Sequence, residues 1–504
     1  MASYYTDFMN LQHLFSALPG VPENVFTHLE VTGLFNDARK VIPNSVFVAI
    51  RGLKTDGHQF INDAIQKEAL ALVVEDKSLV PATFEGITLQ VPNTREALDL
   101  LASRYYNDPA SELFCVGVTG TNGKTSVTYM VEAILSYGKI PTGVIGTVNH
   151  HLGNKVWSSE MTTPDPLFLQ KRLREFRDEG AKAVAMEVSS HALDQHRVDS
   201  VPFNAVIFTN LTRDHLDYHL TMENYFAAKQ KLFTDLLWRT SKQPCFAIIN
   251  IDDKLGRRLK VADPAVLWTY GSSSEADFHF KIKRMDFALT EFEVHTPVGV
   301  GKVELPMSGT HNVMNALAAL AAGMSTGMPL AMCCEALSSF TGVPGRLQSV
   351  PNKKNISVFV DYAHSPDALE NVLTALNRVR ESLKSSSRIW TIFGCGGDRD
   401  KGKRPLMAQM ALKYSDQVIV TSDNPRTEDP QAIINDILTG VSDSNKARVV
   451  VDRKEAIRET LQKAQEGDVV LIAGKGHEDY QIIGTEKFPF SDVQVAEEAL
   501  QRRA

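Results

Sequence analysis

One segment of the sequence restricts the possible folds more than any other: an apolar run that enters a glycine-rich loop and leaves it in an amphipathic helix. The loop is the stretch Val116-Gly-Val-Thr-Gly-Thr-Asn-Gly-Lys-Thr-Ser126. The apolar positions after it recur at the spacing of one helix face: Val127, Met130, Val131, Ile134 and Leu135. A strand, a glycine-rich loop and a helix in this order form a phosphate-binding corner of a parallel α/β sheet. The segment therefore predicts a nucleoside-triphosphate site in such a sheet.

The residue types of the loop suit a triphosphate. Gly120 and Gly123 let backbone N–H groups approach the phosphates, and the helix N-terminus favours anions. Lys124 is placed to reach the β- and γ-phosphates, and the Thr125 hydroxyl to bind Mg²⁺. The strict pattern GxxxxGK[ST] has glycine where this chain has Val118. The alternative, a glycine-rich turn with a chance lysine, is disfavoured by the flanking strand and helix.

Short apolar runs alternate with helical stretches through most of the chain, which is typical of parallel α/β sheets. The predicted buried strands are Leu113–Val118, Ala183–Val188, Ala205–Thr209, Ala247–Asn250, Val358–Val360, Ile389–Phe393, Val418–Val420 and Val469–Ile472. At roughly 150 residues per domain, the 504 residues suggest three domains. Turn-forming clusters at Asn107-Asp-Pro109 and Gly342-Val-Pro-Gly345 give bounds of 1–110, 111–343 and 344–504. We predict a smaller N-terminal α/β domain, a central P-loop ATPase-like parallel sheet and a C-terminal Rossmann-like α/β domain.

Composition narrows the possible partners. Lys and Arg total 53 against 60 Asp and Glu, a formal charge of −7, which disfavours coating of nucleic acid or anionic membrane. The five cysteines form no CxxC pair, which disfavours a zinc framework and fits a reducing compartment. The first Lys or Arg is Arg39, and no apolar run nears the length of a membrane-spanning helix. We expect a cytoplasmic protein with no nucleic-acid partner and no membrane insertion.

Two polar clusters follow predicted strands, where parallel sheets bind ligands. In the first, Glu187 alternates with apolar neighbours, which directs its carboxylate toward the phosphate loop. The second, Asn210–His219, carries two acids and two imidazoles in its last six residues. Two explanations fit each cluster equally well: its side chains complete the coordination shell of a Mg²⁺ ion, or they are charged loop residues that face solvent. Lys229, on a helix predicted over Met222–Leu236, is interpreted from spacing alone as a solvated helix-face residue.

Beyond these features, the chain resembles one family. The string Thr119-Gly-Thr-Asn-Gly-Lys-Thr-Ser126 resembles the nucleotide loop of the Mur ligases and folylpolyglutamate synthetases, which are ATP-dependent amide-forming ligases. Other matched segments, in the same order and spacing, extend over most of the chain: Met186–His191, Asn210–His219, Gly309-Thr-His-Asn-Val-Met-Asn315, Gly345-Arg346, Asp361-Tyr-Ala-His364 and Gly394–Pro405. The resemblance implies the three domains of the Mur members, with ATP and Mg²⁺ as cofactors.

Within the family, the chain most resembles the members that add meso-2,6-diaminopimelate to UDP-N-acetylmuramoyl-L-alanyl-D-glutamate. Asp423-Asn-Pro-Arg426 resembles their amino-acid-selecting motif, Arg399 the arginine on the incoming carboxylate, and Gly474 and Glu478 the residues at the distal end. Diaminopimelate ends in an ammonium and a carboxylate, whereas lysine ends in an ammonium alone. A guanidinium grips a carboxylate with two hydrogen bonds and repels a lone ammonium. The alternative for Arg426 is a surface salt bridge.

The resemblance also implies the remaining site residues. For the nucleotide they are Gly120, Thr121, Asn122, Gly123, Lys124, Thr125, Ser126, Asn315, Arg346 and Asp361. The catalytic residues are Lys124, Glu187, His215 and Lys229, and the Mg²⁺ ligands are Thr125, Glu187, His215 and a carbamate on Lys229. The UDP-peptide contacts are Asn36, Ala38, Thr162, Thr163, Ser189, Gln195 and Arg197, and the amino-acid contacts are Arg399, Asp423, Asn424, Pro425, Arg426, Gly474 and Glu478. The chain departs from the family pattern at Asn36 and Ala38, where relatives have leucine and serine, and at Met161, where some have asparagine.

The implied activity is a two-step ligation in cytoplasmic peptidoglycan precursor synthesis, carried out by a monomer. ATP phosphorylates the γ-carboxylate of the UDP-linked dipeptide, and the amine of diaminopimelate attacks the acyl phosphate. Two alternatives stay open. A ligase for another acceptor, such as a folylpolyglutamate synthetase, keeps the phosphate loop but gives no reason for Asp423–Arg426. A switch or transport NTPase hydrolyses ATP without an acceptor.

Overall fold

The computed structural model describes residues 9–21, 28–52 and 55–501. By its internal contacts the chain forms two units. The first comprises the described residues up to Gly271 together with Ala318–Met328, and the second comprises Ser272–Leu317 and the described residues from Pro329 on. In the described part of the chain, no helix is both long and apolar enough to cross a membrane. The three-domain bounds stay a prediction.

The first unit begins with short strands and three helices. These are β1 (Met9–Asn10), β2 (Glu30–Val31), β3 (Leu34–Phe35), β4 (Val46–Val48), β5 (Ala71–Val74), β6 (Ile87–Gln90), α1 (Leu11–Phe15), α2 (Ile61–Gln66) and α3 (Thr94–Tyr105). Strands β3-β4-β5-β6 form a parallel sheet in chain order, and β1 pairs with β2 antiparallel. Every residue of β4 and β5 is buried, as in a sheet covered on both faces. The Asn93 side chain caps α3 by accepting from the Arg95 and Glu96 amides.

A larger sheet follows in the same unit. Its strands are β7 (Phe114–Thr119), β8 (Thr142–Ile145), β9 (His150–Leu152), β10 (Lys155–Trp157), β11 (Ala183–Glu187), β12 (Ala205–Phe208), β13 (Phe246–Asn250) and β14 (Val266–Gly271). The helices of this part of the chain are α4 (Lys124–Tyr137), α5 (Pro166–Asp178), α6 (Ser190–Asp194), α7 (Leu216–His219), α8 (Met222–Lys231) and α9 (Leu237–Arg239), and α10 (Thr310–Ser325) comes later.

The order of these strands sets the position of the phosphate loop. It is β10-β9-β8-β11-β7-β12-β13-β14, parallel from β8 to β14, with β9 and β10 added antiparallel at one edge. Strand β7 lies between β11 and β12, so the carboxyl ends of all three meet at one edge of the sheet. Ligands bind at this edge in parallel α/β sheets. The five apolar positions predicted to form one face of α4 are all fully buried, which confirms that helix face.

The second unit contains an antiparallel meander, a second parallel sheet and a hairpin. Its strands are β15 (Phe278–Met285), β16 (Thr290–Thr296), β17 (Gly299–Leu305), β18 (Gln348–Ser349), β19 (Ser357–Asp361), β20 (Ile389–Phe393), β21 (Gln417–Val420), β22 (Ala447–Val449), β23 (Val469–Ala473), β24 (Tyr480–Ile483) and β25 (Glu486–Pro489). Its helices are α11 (Leu330–Ser338), α12 (Pro366–Ser382), α13 (Lys403–Tyr414), α14 (Pro430–Leu438), α15 (Arg453–Lys463) and α16 (Asp492–Gln501). The sheet order is β18-β19-β23-β20-β21-β22, parallel except for β18.

The predicted α/β fold class is confirmed, and two parts of the secondary structure differ from expectation. All eight predicted strands are present, with ends displaced by at most one residue. The meander β15–β17 was not predicted, because its strands do not form continuous apolar runs: β15 has one buried position, Phe278, and β16 and the end of β17 alternate buried and more exposed positions. The helix predicted over Met222–Leu236 is α8 followed by a π-helical turn at Leu232–Leu236.

Candidate active site

The glycine-rich loop joins β7 directly to α4. Gly120 has φ 146° and Gly123, the N-cap of α4, has φ 88°, two conformations that favour glycine. The Lys124 Nζ donates to the carbonyl oxygens of Gly120 at 3.0 Å and Thr121 at 2.8 Å. The lysine therefore folds back over the loop, with its cation beside the backbone that is expected to receive the phosphates.

Glu187 ends the strand beside β7, and its carboxylate lies against the start of α4. It is 1% exposed and accepts from Thr125 Oγ1 at 2.9 Å. The backbone N–H and the Oγ1 of Thr147 donate to the same carboxylate at 2.8 and 3.1 Å. This placement agrees with the sequence argument that alternation directs Glu187 toward the loop. Thr147 was missed, although it follows β8 at the same edge of the sheet.

Lys229 is not a solvated helix-face residue, so that interpretation is wrong. Its side chain is buried at 1% exposure, and its Nζ donates to Gly120 O at 3.0 Å and to Thr119 Oγ1 at 3.4 Å. The ammonium also lies 4.8 Å from the centre of the Tyr225 ring. Burial, reinforced by Lys124, holds the pKa of the Lys229 amine well below its ordinary value, although Asp214 opposes the shift. Burial under the phosphate loop therefore favours the neutral form of this amine.

Imidazoles cluster beside this lysine. The rings of His215 and His191 are 4.9 Å apart, and His215 Nε2 lies 3.6 Å from Asp214. Burial is the main cause that lowers the pKa of His215, and it lowers the pKa of His191 to about 4. His219 is buried, and its Nε2 is 2.9 Å from the Ser190 hydroxyl. Of the two imidazoles in this loop, His215 is the one whose ring remains partly open to solvent.

The residues around the loop fit Mg²⁺ through oxygen atoms. The Thr125 hydroxyl and the Glu187 carboxylate are 2.9 Å apart, and both are ligand types that this ion prefers. Within the described residues, no group of three or more His, Cys, Asp or Glu side chains is arranged to hold a metal. Mg²⁺ bound with a nucleotide usually takes one or two protein oxygens and completes its shell with phosphates and waters. The Thr125 hydroxyl and the Glu187 carboxylate are therefore oxygen ligands of the kind expected for Mg²⁺ bound with a nucleotide.

A cavity of about 120 Å³ in the first unit collects three of the implied UDP-peptide contacts, Asn36, Gln195 and Arg197. Arg197 donates to Gln195 Oε1 at 2.7 Å and to Thr163 O at 2.9 Å, which fixes its guanidinium in the cavity wall. Ala38 is buried and is not among the residues that line this cavity. The structure thus brings Asn36, but not Ala38, to the site.

Thr162, Thr163 and Ser189 connect this cavity wall to Glu187. Thr163 Oγ1 donates to Glu187 O at 2.8 Å and accepts from Ser189 N at 3.0 Å. Thr162 Oγ1 is 3.0 Å from Thr147 Oγ1, which in turn contacts the Glu187 carboxylate. A second cavity of about 320 Å³ shares Met161 and Asp165 with the first.

The cavity of about 120 Å³ is also lined by Arg95 and Leu98 of α3, and this helix carries a buried carboxyl group, Asp99. Its Oδ2 accepts from the Ser200 amide, and its Oδ1 has no hydrogen-bond partner in the described structure. Burial and then repulsion by Asp199 raise the pKa of Asp99 well above its ordinary value. Above the ordinary carboxyl pKa of about 3.9, the folded state keeps a proton that the unfolded chain has lost. Stability therefore falls as the pH rises toward the folded pKa.

We expect Asp99→Asn to flatten this dependence, since an amide cannot ionise. The stability gain of the variant over the parent should grow as the pH rises above about 3.9 toward the folded pKa, by up to about 1.4 kcal/mol per pH unit. Thermal unfolding monitored by circular dichroism at several pH values measures it. The exposed Asp63→Asn is the control and should show no such trend. A gain for Asp99→Asn that does not vary with pH would contradict the argument.

In the second unit, the predicted amino-acid motif follows β21. Arg426 has φ 51°, its N–H donates to Ile482 O at 3.1 Å, and its Nη1 donates to Gly397 O at 2.8 Å. The guanidinium is thus held by a carbonyl of the glycine-rich segment that also carries Arg399. A Cβ added at Gly396 would lie 2.8 Å from Arg426 Nη1 and 3.8 Å from Arg399 Cγ. The side chains of both arginines therefore lie close to this glycine.

The distal-end residues lie against the same motif. Asn424 Nδ2 donates to Glu478 Oε2 at 2.9 Å. Gly474 has φ 119°, and a Cβ there would lie 2.6 Å from Asp423 Oδ2. The structure thus brings Asp423–Arg426, Gly474 and Glu478 together. Lys475, which contacts both Asn424 and Glu478, was missed, although the sequence segment Gly474–Glu478 was singled out.

Two of the implied outer nucleotide contacts, Arg346 and Asp361, lie at the start of this unit's parallel sheet. Asp361, at the end of β19, accepts from the Leu347 and Ala363 amides at 2.7 and 2.8 Å. Burial raises the pKa of Asp361, and Arg346 opposes the shift. The Arg346 guanidinium lies 5.5 Å from the centre of the Tyr362 ring. Asn315 is buried on α10, and its Nδ2 is 3.5 Å from Asn312 Oδ1.

Three family models match the chain in succession. They describe the Mur ligase family catalytic domain at residues 30–106, the Mur ligase middle domain at residues 118–323, and the Mur ligase glutamate ligase domain at residues 345–476. The phosphate loop and Glu187 fall in the second match, and Asp423–Arg426 falls in the third.

Relatives match over nearly the whole chain. A Geobacter sulfurreducens protein named UDP-N-acetylmuramoyl-L-alanyl-D-glutamate–2,6-diaminopimelate ligase is 44% identical, covering 93% of this chain and 94% of the relative. Proteins of the same name from Clostridioides difficile and Thermosynechococcus vestitus are 43% and 42% identical, covering 94% and 98% of this chain and 96% and 98% of their own lengths.

Solved structures agree with these relatives. One with the same ligase name has a TM-score of 0.72 at 33% identity, covering 97% of this chain and 99% of the other. A MurF ligase from Thermotoga maritima in complex with ADP has a TM-score of 0.56 at 20% identity, covering 94% and 98%, and this likeness shows the fold alone. The three family models and relatives above 40% identity over nearly the full length of both chains together show the family. This chain belongs to the Mur ligase family.

Proposed function

We propose that the protein is an ATP-dependent, ADP-forming ligase that adds meso-2,6-diaminopimelate to UDP-N-acetylmuramoyl-L-alanyl-D-glutamate. The observation that carries the choice of amino acid is that Arg426 belongs to the motif whose Asn424 donates to Glu478 and whose Asp423 lies beside Gly474. A guanidinium and a carboxylate supplied by one such site match a substrate end with one carboxylate and one ammonium. The names of relatives above 40% identity support the same substrates.

The reaction has two steps, and the protein contributes positioning and charge. A γ-carboxylate oxygen of the D-glutamate unit attacks the γ-phosphorus of ATP, and the bond to the β-γ bridging oxygen breaks, releasing ADP. The amine of diaminopimelate then attacks the acyl carbon, phosphate leaves with the bonding pair, and the amine loses a proton. Lys124 and the loop N–H groups hold the phosphates during the first step. Arg399 and Arg426 hold the carboxylates of the amino acid during the second.

Thr125, Glu187 and His215 are the residues that would hold Mg²⁺. The ion supplies neutralisation of the charge on the transferring phosphoryl group. A carbamate on Lys229 would add an anionic oxygen to these ligands, which the free amine does not provide. Support for it comes from the family resemblance and from the burial of this lysine under the phosphate loop.

The remaining assignments are part of the same proposal. Residues 1–110 and the cavity of Asn36, Gln195 and Arg197 serve the UDP-linked dipeptide, residues 111–343 serve ATP, and residues 344–504 serve the amino acid. Asn315, Arg346 and Asp361 contact the nucleotide beyond its phosphates. We place the enzyme in the cytoplasm, because ATP and UDP-linked precursors are cytoplasmic and all five cysteines are free. That it acts as a monomer is part of the same proposal.

The proposal is tested by a ligation assay with purified protein, ATP, Mg²⁺ and the UDP-linked dipeptide, with either meso-diaminopimelate or L-lysine added. We expect ADP and the UDP-linked tripeptide to form with diaminopimelate, and kcat/KM for lysine to be at least about a hundredfold lower. Product is followed by liquid chromatography with mass detection. A preference for lysine or for glutamate would reassign the acceptor. ADP formation without any amino acid would favour a switch or transport NTPase.

A further inference from the structure

A cation lies buried against the proposed amino-acid site, and the two steps above do not use it. Lys475 follows β23 and is 0% exposed. Its Nζ donates to Asn424 Oδ1 at 3.0 Å and to Glu478 Oε2 at 3.1 Å. A buried charge is costly unless it is paired and hydrogen-bonded. Among the described residues, the hydrogen-bond partners through which Lys475 meets that condition are Asn424 and Glu478, both already assigned to the substrate.

The three side chains form a closed network whose orientation is fixed. Asn424 Oδ1 accepts from Lys475 and also from the Ile482 N–H at 2.9 Å. Both donors demand an oxygen at that position, so the amide nitrogen must face the carboxylate of Glu478. Asn424 Nδ2 indeed donates to Glu478 Oε2 at 2.9 Å. Two donors therefore hold Glu478 through Oε2, and this leaves Oε1 to bind a ligand.

The charges around the proposed amino-acid pocket balance. Four cations and four carboxylates belong to the proposed amino-acid contacts, to the loop after β23 or to the ion pairs attached to them: Arg399, Arg426, Arg453, Lys475, Asp423, Glu478, Asp479 and Asp492. His477 adds no charge near neutral pH, because burial lowers its pKa. A balanced pocket suits a neutral pair of ammonium and carboxylate. Without Lys475 the pocket has an excess negative charge, which suits a lone ammonium.

We propose that Lys475 is a positioning and specificity-determining residue for the amino-acid substrate. It holds the Glu478 carboxylate in place through Oε2. Its charge keeps the pocket neutral, so that a substrate end with both an ammonium and a carboxylate is favoured over an ammonium alone. This role rests on the proposed function, in which Glu478 and Arg426 contact the distal end of diaminopimelate.

The first test is Lys475→Met, which keeps the apolar stem and removes the charge. We expect the KM for diaminopimelate to rise at least about tenfold, while the KM for ATP changes less than about twofold. We also expect the ratio of kcat/KM for lysine to that for diaminopimelate to rise at least about tenfold. An equal loss with both amino acids would show a merely structural role and overturn the proposal.

Lys487→Met is the matched control. Its ammonium lies 4.2 Å from the Tyr480 ring, and that of Lys475 lies 5.6 Å from the same ring. Lys487 is exposed on β25, so its loss should leave both KM values and the amino-acid preference unchanged. A preference that shifts equally in both variants would mean that general positive charge, rather than the buried network, sets the selectivity.

A second comparison remains informative even if the single variant Lys475→Met fails to fold. The single variant Glu478→Gln and the double variant Glu478→Gln with Lys475→Met are measured side by side. The double variant lacks both the Glu478 carboxylate and the Lys475 ammonium, so it leaves no carboxylate without its cation. If Lys475 acts through Glu478, adding Lys475→Met should change the KM for diaminopimelate by less than about twofold. Fully additive effects would overturn the proposal. A parent enzyme that does not use diaminopimelate would instead refute the proposed function.

Discussion

Replacing Lys124 with alanine is expected to lower substrate-dependent ADP formation at least about a thousandfold. The Lys124 ammonium lies over the phosphate loop, 3.0 Å from Gly120 O and 2.8 Å from Thr121 O. At that position its charge stabilises the negative charge that develops as the γ-phosphoryl group moves to the carboxylate. Alanine removes this stabilisation and cannot replace it. Steady-state assays with ATP, the UDP-linked dipeptide and diaminopimelate measure the loss.

The loss should arise from chemistry and not from unfolding, because other contacts hold the loop. The N–H groups of Thr121 and Asn122 donate to Asn210 O and Asn210 Oδ1, each at 2.9 Å. The two hydrogen bonds that leave with Lys124 are worth about 1 kcal/mol each. Thermal unfolding should therefore shift little. Lys171→Ala, at an exposed position of α5, is the control and should retain full activity. A Lys124→Ala enzyme within about tenfold of the parent would contradict the role assigned to this cation.

The parallel sheets could be predicted because their strands are short, continuous apolar runs. Burial on both faces leaves that signal in the sequence, as in Ala183–Glu187 and Ile389–Phe393. The meander was not found for the opposite reason: Thr290–Thr296 buries every second side chain and exposes the others in part. The π-helical turn at Leu232–Leu236 was also missed, since helical spacing does not reveal a local change of hydrogen bonding.

In the site, too, features formed by one continuous segment could be predicted, and features that depend on contacts between distant parts of the chain could not. The phosphate loop is one continuous segment, so its glycines and Lys124 could be read from the sequence. Lys229 could not, because its burial depends on Gly120, more than one hundred residues away in the chain. Lys475 was missed because its partner Asn424 is 51 residues away. A lysine on a helix or in a polar loop is normally exposed, and only the packed structure identifies the exceptions.

Lys229 combines the two conditions that a carbamate needs. Its amine is buried, and burial reinforced by Lys124 holds its pKa well below the ordinary value, so the neutral nucleophilic form persists to lower pH. The neutral amine attacks the carbon of CO2, an N–C bond forms while one C=O π pair moves to oxygen, and one N–H proton leaves, which converts the neutral amine into an anionic carbamate. That anion, buried under the phosphate loop, would be unfavourable alone and favourable beside Mg²⁺. Acidification should reverse the modification by protonating the amine.

We expect Lys229→Ala to lose at least about a thousandfold in activity, without recovery when bicarbonate is added. Neither an amine nor a carbamate can form on alanine, so CO2 has nothing to modify. In the parent enzyme, depletion of CO2 should lower the activity and added bicarbonate should restore it. Isotopically labelled bicarbonate should give a carbamate signal by nuclear magnetic resonance in the parent, and none in the variant.

Lys231→Ala gives a matched control on the same helix. Lys231 is half-exposed, and its Nζ lies 3.9 Å from Asp194, a surface pair worth at most about 1 kcal/mol. Its loss should change neither the activity nor the carbamate signal. Because Gly120 O still accepts from Lys124 after Lys229→Ala, the phosphate loop keeps a cation on that carbonyl and should remain folded. Full activity of Lys229→Ala, or a carbamate signal that persists in it, would remove the carbamate from the mechanism and leave Thr125, Glu187 and His215 as the proposed Mg²⁺ ligands.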